Sequence, residues 1–358
     1  MPGPSGEEGK RPVTDVIVVG GGPTGLASAI MARLAGLSVM VFEPRDLPAD
    51  KACGEGLMPP ALKSLADLGV TGLEGVAFEG IRYVDGACAA EGRFAMGPGL
   101  GVRRTVLHKA LHDRARALNI DIKPKRVETW SQDADGVTVE GERARWLLGA
   151  DGLASPLRAR LGLSEKPRLP SRLGLRRHFN VEPWTPFVEI HWHKDAEAYV
   201  TPISATEVGV AILYKADAEP PGTGDPWTRW FSAFPELSAR VGPPSTTVRG
   251  AGPFEQRVRA PRAGRVLLIG DAAGYLDPIT GEGIRLGLDT ARAAVDSIIA
   301  NQPEHYPRRW RQAIRRYWWL TAGLLFLRRR EWLRKQIVPT LRRWPRLFNL
   351  ALNVLNHS

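Results

Sequence analysis

Two glycine-rich segments, far apart in the chain, carry the residue types of a nucleotide-binding site. The first is GGGPTG, in which Gly20, Gly22, Thr24 and Gly25 follow the apolar run TDVIVV and precede a helical pattern. In that context the glycines allow a tight turn whose N–H groups approach a diphosphate at a helix N-terminus. Glu43 lies 18 residues after Gly25, at the end of the next apolar run, where a carboxylate can accept both ribose hydroxyls of an adenosine. A plain glycine turn beside a surface glutamate is the alternative.

The second segment is GDAAG, which follows the apolar run RVLLI about 250 residues later. Asp271 in this segment can bind a polyol chain if the fold brings the two segments together. The next residues, PITGEGI, begin a helix, so that backbone N–H groups of Gly281, Gly283 and Ile284 can face an electron-rich ring edge. An ordinary strand, loop and capped helix is the alternative. A third segment, GADGLASPLR, contains Asp151, which is either part of the site or a turn residue.

The cysteine in KACGEGLMP raises a separate question. Cys53 could be a metal ligand, half of a disulfide with Cys88, a small buried residue, or a group placed against a cofactor. Two cysteines cannot form a disulfide framework, and a reducing cytoplasm is the simple interpretation. His191 and His193 in HWH share one strand face, but no third ligand is evident, so no metal site is predicted.

The elements that must position these residues follow an α/β pattern. TDVIVV, VMVFEP and RARWLLGAD indicate buried strands, and IDIKPKRVETW and GVTVEG indicate further strands of the same sheet. PTGLASAIMARLAGLS, PALKSLADLGV and RRTVLHKALHDRARALNI have helical spacing. Between residues 171 and 252 the runs GLRRHFNV, FVEIHWH, AYVTPI and EVGVAILY alternate and indicate an antiparallel sheet.

The predicted fold is a Rossmann-like dinucleotide-binding domain with an inserted antiparallel-sheet substrate domain and a helical C-terminal tail. A chain of 358 residues suits two coupled lobes. The predicted units are a disordered tail at 1–13, a discontinuous dinucleotide-binding domain at 14–170 and 253–303, a substrate domain at 171–252 that is joined by part of 75–100, and a basic helical tail at 304–358.

The C-terminal tail carries the net charge of the protein. Residues 308–346 contain thirteen Arg or Lys and one acid, Glu331, whereas the whole chain has a net charge of +11. Its apolar run, residues 317–327, is too short to span a bilayer. The tail either packs on the body with its arginine stems over apolar surface, or lies on an anionic membrane. No nucleic-acid-binding motif is present, so nucleic acid is disfavoured as a partner. No signal peptide is predicted at the start, and a cytoplasmic protein, peripheral at the membrane, is expected.

Together, GGGPTG with Glu43, GADGLASPLR and GDAAGYLDPITGEGI resemble the flavoprotein superfamily of para-hydroxybenzoate hydroxylase-type monooxygenases and geranylgeranyl reductases. The resemblance extends over residues 16–300. It implies a non-covalent FAD whose diphosphate lies at the first segment, whose adenosine ribose is bound by Glu43 and whose ribityl chain is bound by Asp271. It also implies that residues 281–284 face the pyrimidine edge of the flavin.

Further site residues follow from the same resemblance. Arg104 in GVRRTVLHKAL matches an arginine near the diphosphate, and Val127 matches a strand position whose backbone meets adenine. Cys53, Gly54 and Glu55 match a Cys-Gly-acid segment that is common in the reductases of the superfamily. Cys53 would then lie at the wall of the flavin pocket and shape the site or donate weakly to substrate, whereas Glu55 would relay protons or cap a turn.

The chain departs from two subfamily patterns in the substrate sheet. Polyprenyl reductases usually have Tyr-x-Trp-x-Phe-Pro where this chain has AYVTPI, with Tyr199 and Pro202 alone matching, which weighs against a long polyprenyl substrate. The Trp-x-Trp-x-Ile-Pro segment of flavin halogenases is absent.

The leading expectation for function is NAD(P)H-dependent reduction of a carbon–carbon double bond in a hydrophobic substrate, isoprenoid-like or polycyclic. The first alternative is a monooxygenase that hydroxylates or epoxidises a hydrophobic or aromatic substrate. An alternative of another class is a membrane-docked flavin-binding protein with little catalysis of its own.

Overall fold

The computed structural model describes residues 14–356. The predicted disordered tail at residues 1–13 lies outside the described residues. None of the helices within 14–356 combines the length and the apolar character that crossing a bilayer requires.

The strands of the described chain form two large sheets and two small ones. They are β1 (Thr14–Val19), β2 (Val39–Phe42), β3 (Gly56–Leu57), β4 (Val76–Phe78), β5 (Gly80–Asp85), β6 (Cys88–Arg93), β7 (Gly99–Gly101), β8 (Asp121–Lys123), β9 (Trp130–Gln132), β10 (Val137–Val139), β11 (Glu142–Gly149), β12 (Ser164–Glu165), β13 (Arg172–Phe179), β14 (Phe187–Trp192), β15 (Ala196–Ser204), β16 (Glu207–Lys215), β17 (Arg249–Ala251), β18 (Arg257–Val258), β19 (Arg262–Ala263) and β20 (Val266–Leu268).

The α-helices flank both large sheets and form the C-terminal region. They are α1 (Pro23–Leu34), α2 (Pro59–Asp67), α3 (Arg104–Ala117), α4 (Pro156–Arg160), α5 (Pro226–Phe231), α6 (Pro235–Val241), α7 (Gly283–Ile299), α8 (Tyr306–Arg329), α9 (Glu331–Arg343) and α10 (Pro345–Asn356).

The first sheet has the strand order β19-β20-β11-β1-β2-β8, and all neighbours from β20 to β8 are parallel. Its central strand β1 is buried on both faces, which explains the continuous β-branched run in the sequence. The aligned partners Val19, Gly149 and Leu268 end three adjacent strands at one edge. The three sequence segments therefore leave the sheet side by side, at the carboxyl edge where open α/β sheets bind ligands.

The second sheet has the order β17-β13-β16-β15-β14-β5-β6. The alternating runs of residues 171–215 pair antiparallel, as the sequence indicates, but β14 pairs with β5 in parallel. Alternation within one strand fixes its two faces but not the direction of a neighbour from a distant part of the chain, so this parallel pair was not predictable from the pattern. One face of the sheet packs against α5 and α6, and the other packs against α7, the loop before it and the C-terminal helices.

The C-terminal tail packs on the body, with α8 against α7 and with α9 and α10 against β6. Gly92 in β6 allows this approach, since a Cβ there would lie 2.6 Å from Leu352 and 2.8 Å from Phe348. Arg328, near the end of α8, is buried in ion-pair contact with Glu197 of β15, which is also paired with Arg172.

Candidate functional site

The glycine turn after β1 has the geometry of a dinucleotide-binding loop. Gly20 has φ +106° and lies against the backbone of Ala150, while a Cβ at Gly25 would overlap the carbonyl oxygen of Gly20. Gly22 precedes α1 and no side-chain hydrogen bond caps the helix there, and a Cβ at Gly22 would meet only open space. The first N–H groups of α1 therefore face a space that an anionic diphosphate can fill.

Thr24 connects the first segment to the second. A Cβ on Gly270, which has φ +57°, would lie 2.9 Å from Thr24, and one on Gly287 of α7 would overlap its hydroxyl. Residues that are about 250 positions apart in the sequence thus pack directly on each other.

Glu43 is buried at the end of β2, and its carboxylate is fully occupied. Oε2 accepts hydrogen bonds from the N–H of Gly21 at 2.8 Å and from the guanidinium of Arg45 at 2.7 Å, and Oε1 accepts two further bonds from Arg45. Burial alone would raise the pKa of Glu43, but the bonds from Arg45 and Gly21 outweigh burial and hold it below its usual value. Binding of ribose hydroxyls requires the Arg45 guanidinium to release some of these acceptor positions.

His108 is a site residue that sequence reasoning missed. Its Nδ1 accepts the N–H of Ala49 at 3.0 Å, so Nε2 carries the proton and donates to the carbonyl of Gly21 at 2.7 Å. Burial lowers the pKa of His108, which keeps the imidazole neutral. His108 lies four residues after Arg104 on the buried face of α3, and that spacing was the available signal.

Cationic side chains surround the place where a diphosphate would lie. Arg45, Lys51 and Arg104 all line the same cleft. Arg104 is buried, and its Nη1 has no hydrogen-bond partner among the described residues. A buried guanidinium nitrogen without a partner is costly, and a phosphate oxygen would satisfy it.

Asp271 lies in the 3₁₀ turn Gly270–Ala273 and lines the cleft opposite these cations. Burial raises its pKa, and the charges of Lys51, Arg104 and Arg158 partly offset that effect. A half-buried carboxylate beside the glycine turn can accept hydroxyl groups of a polyol chain.

Arg158 links the second and third segments. It is the last residue of GADGLASPLR, and the sequence predicted no role for it. Its guanidinium donates to the carbonyls of Leu153 at 2.6 Å and Ala272 at 3.2 Å, and to Oε1 of Gln256 at 2.6 Å. Asp151 accepts the N–H of Leu157 through Oδ2, while its Oδ1 is buried without a partner among the described residues, and burial raises its pKa. Asp151 therefore both shapes the start of α4 and leaves an acceptor at the cleft, which it lines.

The loop before α7 is held from both sides. Tyr317 of α8 accepts the N–H groups of Leu276 and Asp277 and donates to the Asp277 carbonyl at 2.9 Å. Arg172 binds the Asp277 carboxylate at 2.9 Å. Gly281 has φ +70°, which directs the chain into α7 with Gly283 and Ile284 lining the cleft.

Cys53 and Glu55 lie across the cleft from this loop. Sγ of Cys53 accepts the N–H of Glu55 at 3.4 Å, and burial raises the pKa of the thiol, so it remains protonated. Glu55 is buried with φ +59°; its Oε1 accepts the N–H of Arg104 at 2.9 Å and its Oε2 lies 2.6 Å from Nε2 of His178. The sequence alternatives of proton relay and turn residue both remain compatible with this arrangement.

His178, which the sequence did not single out, is oriented by its other nitrogen. Nδ1 lies 3.0 Å from the guanidinium of Arg176, which can only donate, so Nε2 carries the proton and donates to Glu55. The Thr246 hydroxyl is also 2.9 Å from Nδ1.

All of these features surround one large cavity of about 1000 Å³. Of the predicted site residues, those that line it are Gly20, Gly22, Thr24, Cys53, Gly54, Glu55, Arg104, Asp271, Gly281, Gly283 and Ile284. Gly25 and Glu43 lie behind the wall. The expected strand position of Val127 is wrong, because β8 ends at Lys123 and Val127 lies in an irregular segment that does not border the cavity. Pro124, directly after the strand, has no N–H to donate, so the ladder ends there.

Metal ligands are not gathered in this site. The residues at positions 14–356 contain no group of three or more His, Cys, Asp or Glu side chains suited to a metal ion. His191 lies 3.2 Å from Glu189, and Cys53 and Cys88 are both free thiols.

A parallel sheet, a glycine turn at a helix N-terminus, a buried acid after the second strand and a cleft-lining acid after a late strand define the class of dinucleotide-binding flavoproteins. The chain belongs to the family described as the FAD binding domain, whose profile matches residues 13–303. The open diphosphate cradle at Gly22, the unpartnered Nη1 of Arg104 and the half-buried Asp271 all fit FAD.

Relatives and solved structures agree with this assignment. The menaquinone reductase of Mycolicibacterium smegmatis is 28% identical over 323 residues, covering 83% of this chain and 79% of that protein. The rifampicin monooxygenase of Streptomyces venezuelae is 30% identical over 305 residues, covering 77% of this chain and 62% of that protein. A flavoprotein/dehydrogenase of Cytophaga hutchinsonii has the same fold, with a TM-score of 0.80 at 18% identity, covering 88% of this chain and 86% of that one. The protein is an FAD-dependent oxidoreductase.

Proposed function

We propose that this oxidoreductase uses NAD(P)H to reduce a carbon–carbon double bond in a hydrophobic substrate, isoprenoid-like or polycyclic. The observation that carries the proposal is the continuity of the dinucleotide cleft with an apolar chamber in the same cavity. The chamber wall is formed by the second sheet and the loop before α7, and it includes Ile81, Tyr83, Val188, Ile190, Leu213 and Phe254. A chamber of this composition favours an apolar ligand.

Two features favour reduction over oxygenation. Similarity to the menaquinone reductase extends over four fifths of both chains, whereas similarity to the rifampicin monooxygenase covers less of that protein. The Cys-Gly-acid segment, which the resemblance associates with the reductases of the superfamily, also lines the cavity.

When bound, FAD would supply the redox chemistry, which is transfer of a hydride from NAD(P)H to a substrate carbon. The chain's part is to supply the matching proton to the other carbon. The protonated thiol of Cys53 lines the chamber as a weak donor. Glu55, His178 and the partly buried Thr246 form a continuous set of hydrogen-bonded groups by which a proton can reach the cavity wall.

The runner-up is a monooxygenase, which the rifampicin monooxygenase relative supports. The two reactions separate under anaerobic conditions. With FAD, NAD(P)H and a panel of prenylated quinones and polycyclic alkenes, a reductase yields a product two hydrogens heavier without oxygen. Turnover only in air, with an oxygen atom in the product, would establish the alternative.

We also propose that the protein is peripheral at the membrane, since a hydrophobic substrate of this kind partitions into lipid and the tail is strongly basic. Cell fractionation at low and high salt tests this placement, because an electrostatically held protein is released from membranes by salt.

A further inference from the structure

The exposed faces of α8 and α10 are apolar. Of eleven large apolar side chains that are exposed within the described chain, seven belong to the C-terminal helices α8–α10, and an eighth, Trp344, lies between α9 and α10. Trp319, Phe326 and Leu327 lie on one face of α8 at positions i, i+7 and i+8. Leu347 and Leu350 lie together on α10, whose opposite face is buried through Phe348 and Leu352. Each helix thus has a second apolar face that is largely exposed.

These faces meet at the mouth of the cavity. Trp319 is 77% exposed, Leu347 is 49% exposed and Leu327 is 38% exposed, yet all three also line the cavity. A side chain can be both exposed and part of the cavity wall only where the cavity opens. The mouth is therefore bordered by the apolar faces of α8 and α10.

Basic residues flank the same faces. Arg315 and Arg316 lie one turn before Trp319, Arg330 stacks on the Phe326 ring at 3.7 Å, and Arg346 precedes Leu347. Residues 308–346 contain thirteen basic residues and one acid. Arginines beside exposed Trp, Phe and Leu are typical of helices that lie in the interface of an anionic bilayer.

We propose that α8 and α10 dock on an anionic phospholipid surface with the cavity mouth toward the lipid, so that substrate enters the cavity from the membrane without crossing water. The entry route rests on the proposed hydrophobic substrate, while docking itself does not. Nucleic acid would use the arginines but not the exposed apolar side chains, and a second copy of this chain would bring a second set of thirteen basic residues against the first. Lipid satisfies both the charge and the apolar area.

The test is co-sedimentation of the FAD-loaded protein with vesicles of phosphatidylglycerol and phosphatidylcholine, compared with phosphatidylcholine alone. We expect binding to the anionic vesicles that weakens as salt is raised. The variant Phe326→Gln/Leu350→Gln, which leaves the cavity wall intact, should lower the affinity by about tenfold or more, since two buried apolar side chains are lost from the lipid. The matched control is Leu34→Gln/Ile299→Gln, which alters two similarly exposed apolar residues outside the tail and should bind as the unaltered protein does.

Orientation is tested by fluorescence quenching with brominated lipid. Quenching should be stronger in the unaltered protein than in Trp319→Gln, because Trp319 lies at the mouth. FAD content and thermal unfolding of each variant show that it is folded. The proposal is overturned if the protein does not bind anionic vesicles, or if the two double variants bind them equally. It is also overturned if Trp319→Gln leaves the quenching signal unchanged. A protein that is a dimer without lipid, and that Phe326→Gln/Leu350→Gln converts to a monomer, would overturn it as well. The vesicle experiments contain no substrate and therefore test docking alone. If the protein binds vesicles but fails to reduce any substrate in the turnover assay, only the proposed reaction is disproved.

Discussion

At the scale of single residues, Glu43 is the most constrained group of the cofactor site. Its position at the end of β2 allows it to close the glycine turn through Gly21 and to bind Arg45 in the same plane. Ribose hydroxyls would replace part of the Arg45 interaction, so Arg45 behaves as an internal competitor for the cofactor.

Replacement of Glu43 by alanine should weaken FAD binding by at least about tenfold, because two charge-assisted hydrogen bonds to the ribose are lost. The dissociation constant is measured by quenching of flavin fluorescence. Asp46→Ala removes an exposed acid three residues away and should leave the affinity unchanged. Equal affinities of Glu43→Ala and the unaltered protein would contradict the assigned role.

Substitution of Glu55 by glutamine keeps the side-chain size but removes the charge that His178 faces. Turnover should fall about tenfold or more while FAD stays bound, because proton delivery no longer passes through a carboxylate. Thr246→Val, at the outer end of the same hydrogen-bonded groups, should lower kcat in the same direction. Normal kcat in Glu55→Gln would leave Glu55 as a structural residue only.

The sequence predicted the residues whose roles follow from local spacing, such as Gly20, Gly22 and Asp271. It did not predict His178 or Arg158, because their partners come from distant segments and no spacing along the chain encodes them. For His108 the spacing from Arg104 was a signal, but its partners Ala49 and Gly21 were not encoded by it. The type of a residue limits its chemistry, whereas the fold selects which partner it meets.

At the scale of elements, buried ion pairs hold the end of α8 against the second sheet. Arg328 contacts Glu197, Glu197 contacts Arg172, and Arg172 holds Asp277 in the loop before α7. The alternating pattern predicted the strands that contain Arg172 and Glu197. It could not predict that Arg328 is buried, because the tail contains many arginines and most of them are exposed.

Arg328→Ala should destabilise the protein by about 3 kcal/mol, since removing one member of a buried ionic group leaves charge uncompensated. The free energy of unfolding is measured with urea, and limited proteolysis should show earlier cleavage in α8–α10. Arg329→Ala, which removes an exposed neighbour on the same helix, is the control and should change stability by less than about 0.5 kcal/mol.

The start of α7 should impose a pH dependence through Glu282. Burial raises its pKa to about 7 from an ordinary value of 4.5, with Arg285 opposing and Asp289 adding to the shift. Between these two values the unfolded chain loses the proton while the folded chain keeps it, so stability falls as pH rises from about 4.5 to about 7 and stays reduced above that.

Glu282→Gln should therefore stabilise the protein above pH 7, by an amount on the order of 3 kcal/mol at most, and have little effect near pH 4.5. Urea unfolding of both proteins at the two pH values, at one FAD concentration, provides the measurement. A stabilisation that is the same at both pH values would argue against a titrating carboxyl group.

At the scale of the whole molecule, the C-terminal helices belong to the same body as the flavin site. Phe348 and Leu352 of α10 share an apolar cluster with Tyr83 and Ile190 of the second sheet. The sequence left open whether the tail packs on the body or lies on a membrane. The structure shows the packing of its inner faces, and composition alone could not reveal that these helices have two apolar faces each.

Gly92→Val should displace α10, because the new side chain would occupy space taken by Leu352 and Phe348. We expect a loss of about 1–3 kcal/mol in unfolding free energy, typical of overpacking. Glu91→Val, at the adjacent exposed position of β6, introduces the same side chain without the overlap and should be nearly neutral. Retention of full stability by Gly92→Val would mean that α10 can shift without cost.

The hydroxyl of Tyr317 has a consequence for the order in which the protein matures. It supplies the hydrogen bonds of the loop at Leu276 and Asp277, although it lies about 40 residues later in the chain. During synthesis the glycine turn, the second sheet and this loop are all made before Tyr317, whose hydroxyl holds the loop in place. This loop is therefore held in place only after α8 has been synthesised, so we expect stable FAD loading to require the chain through Tyr317.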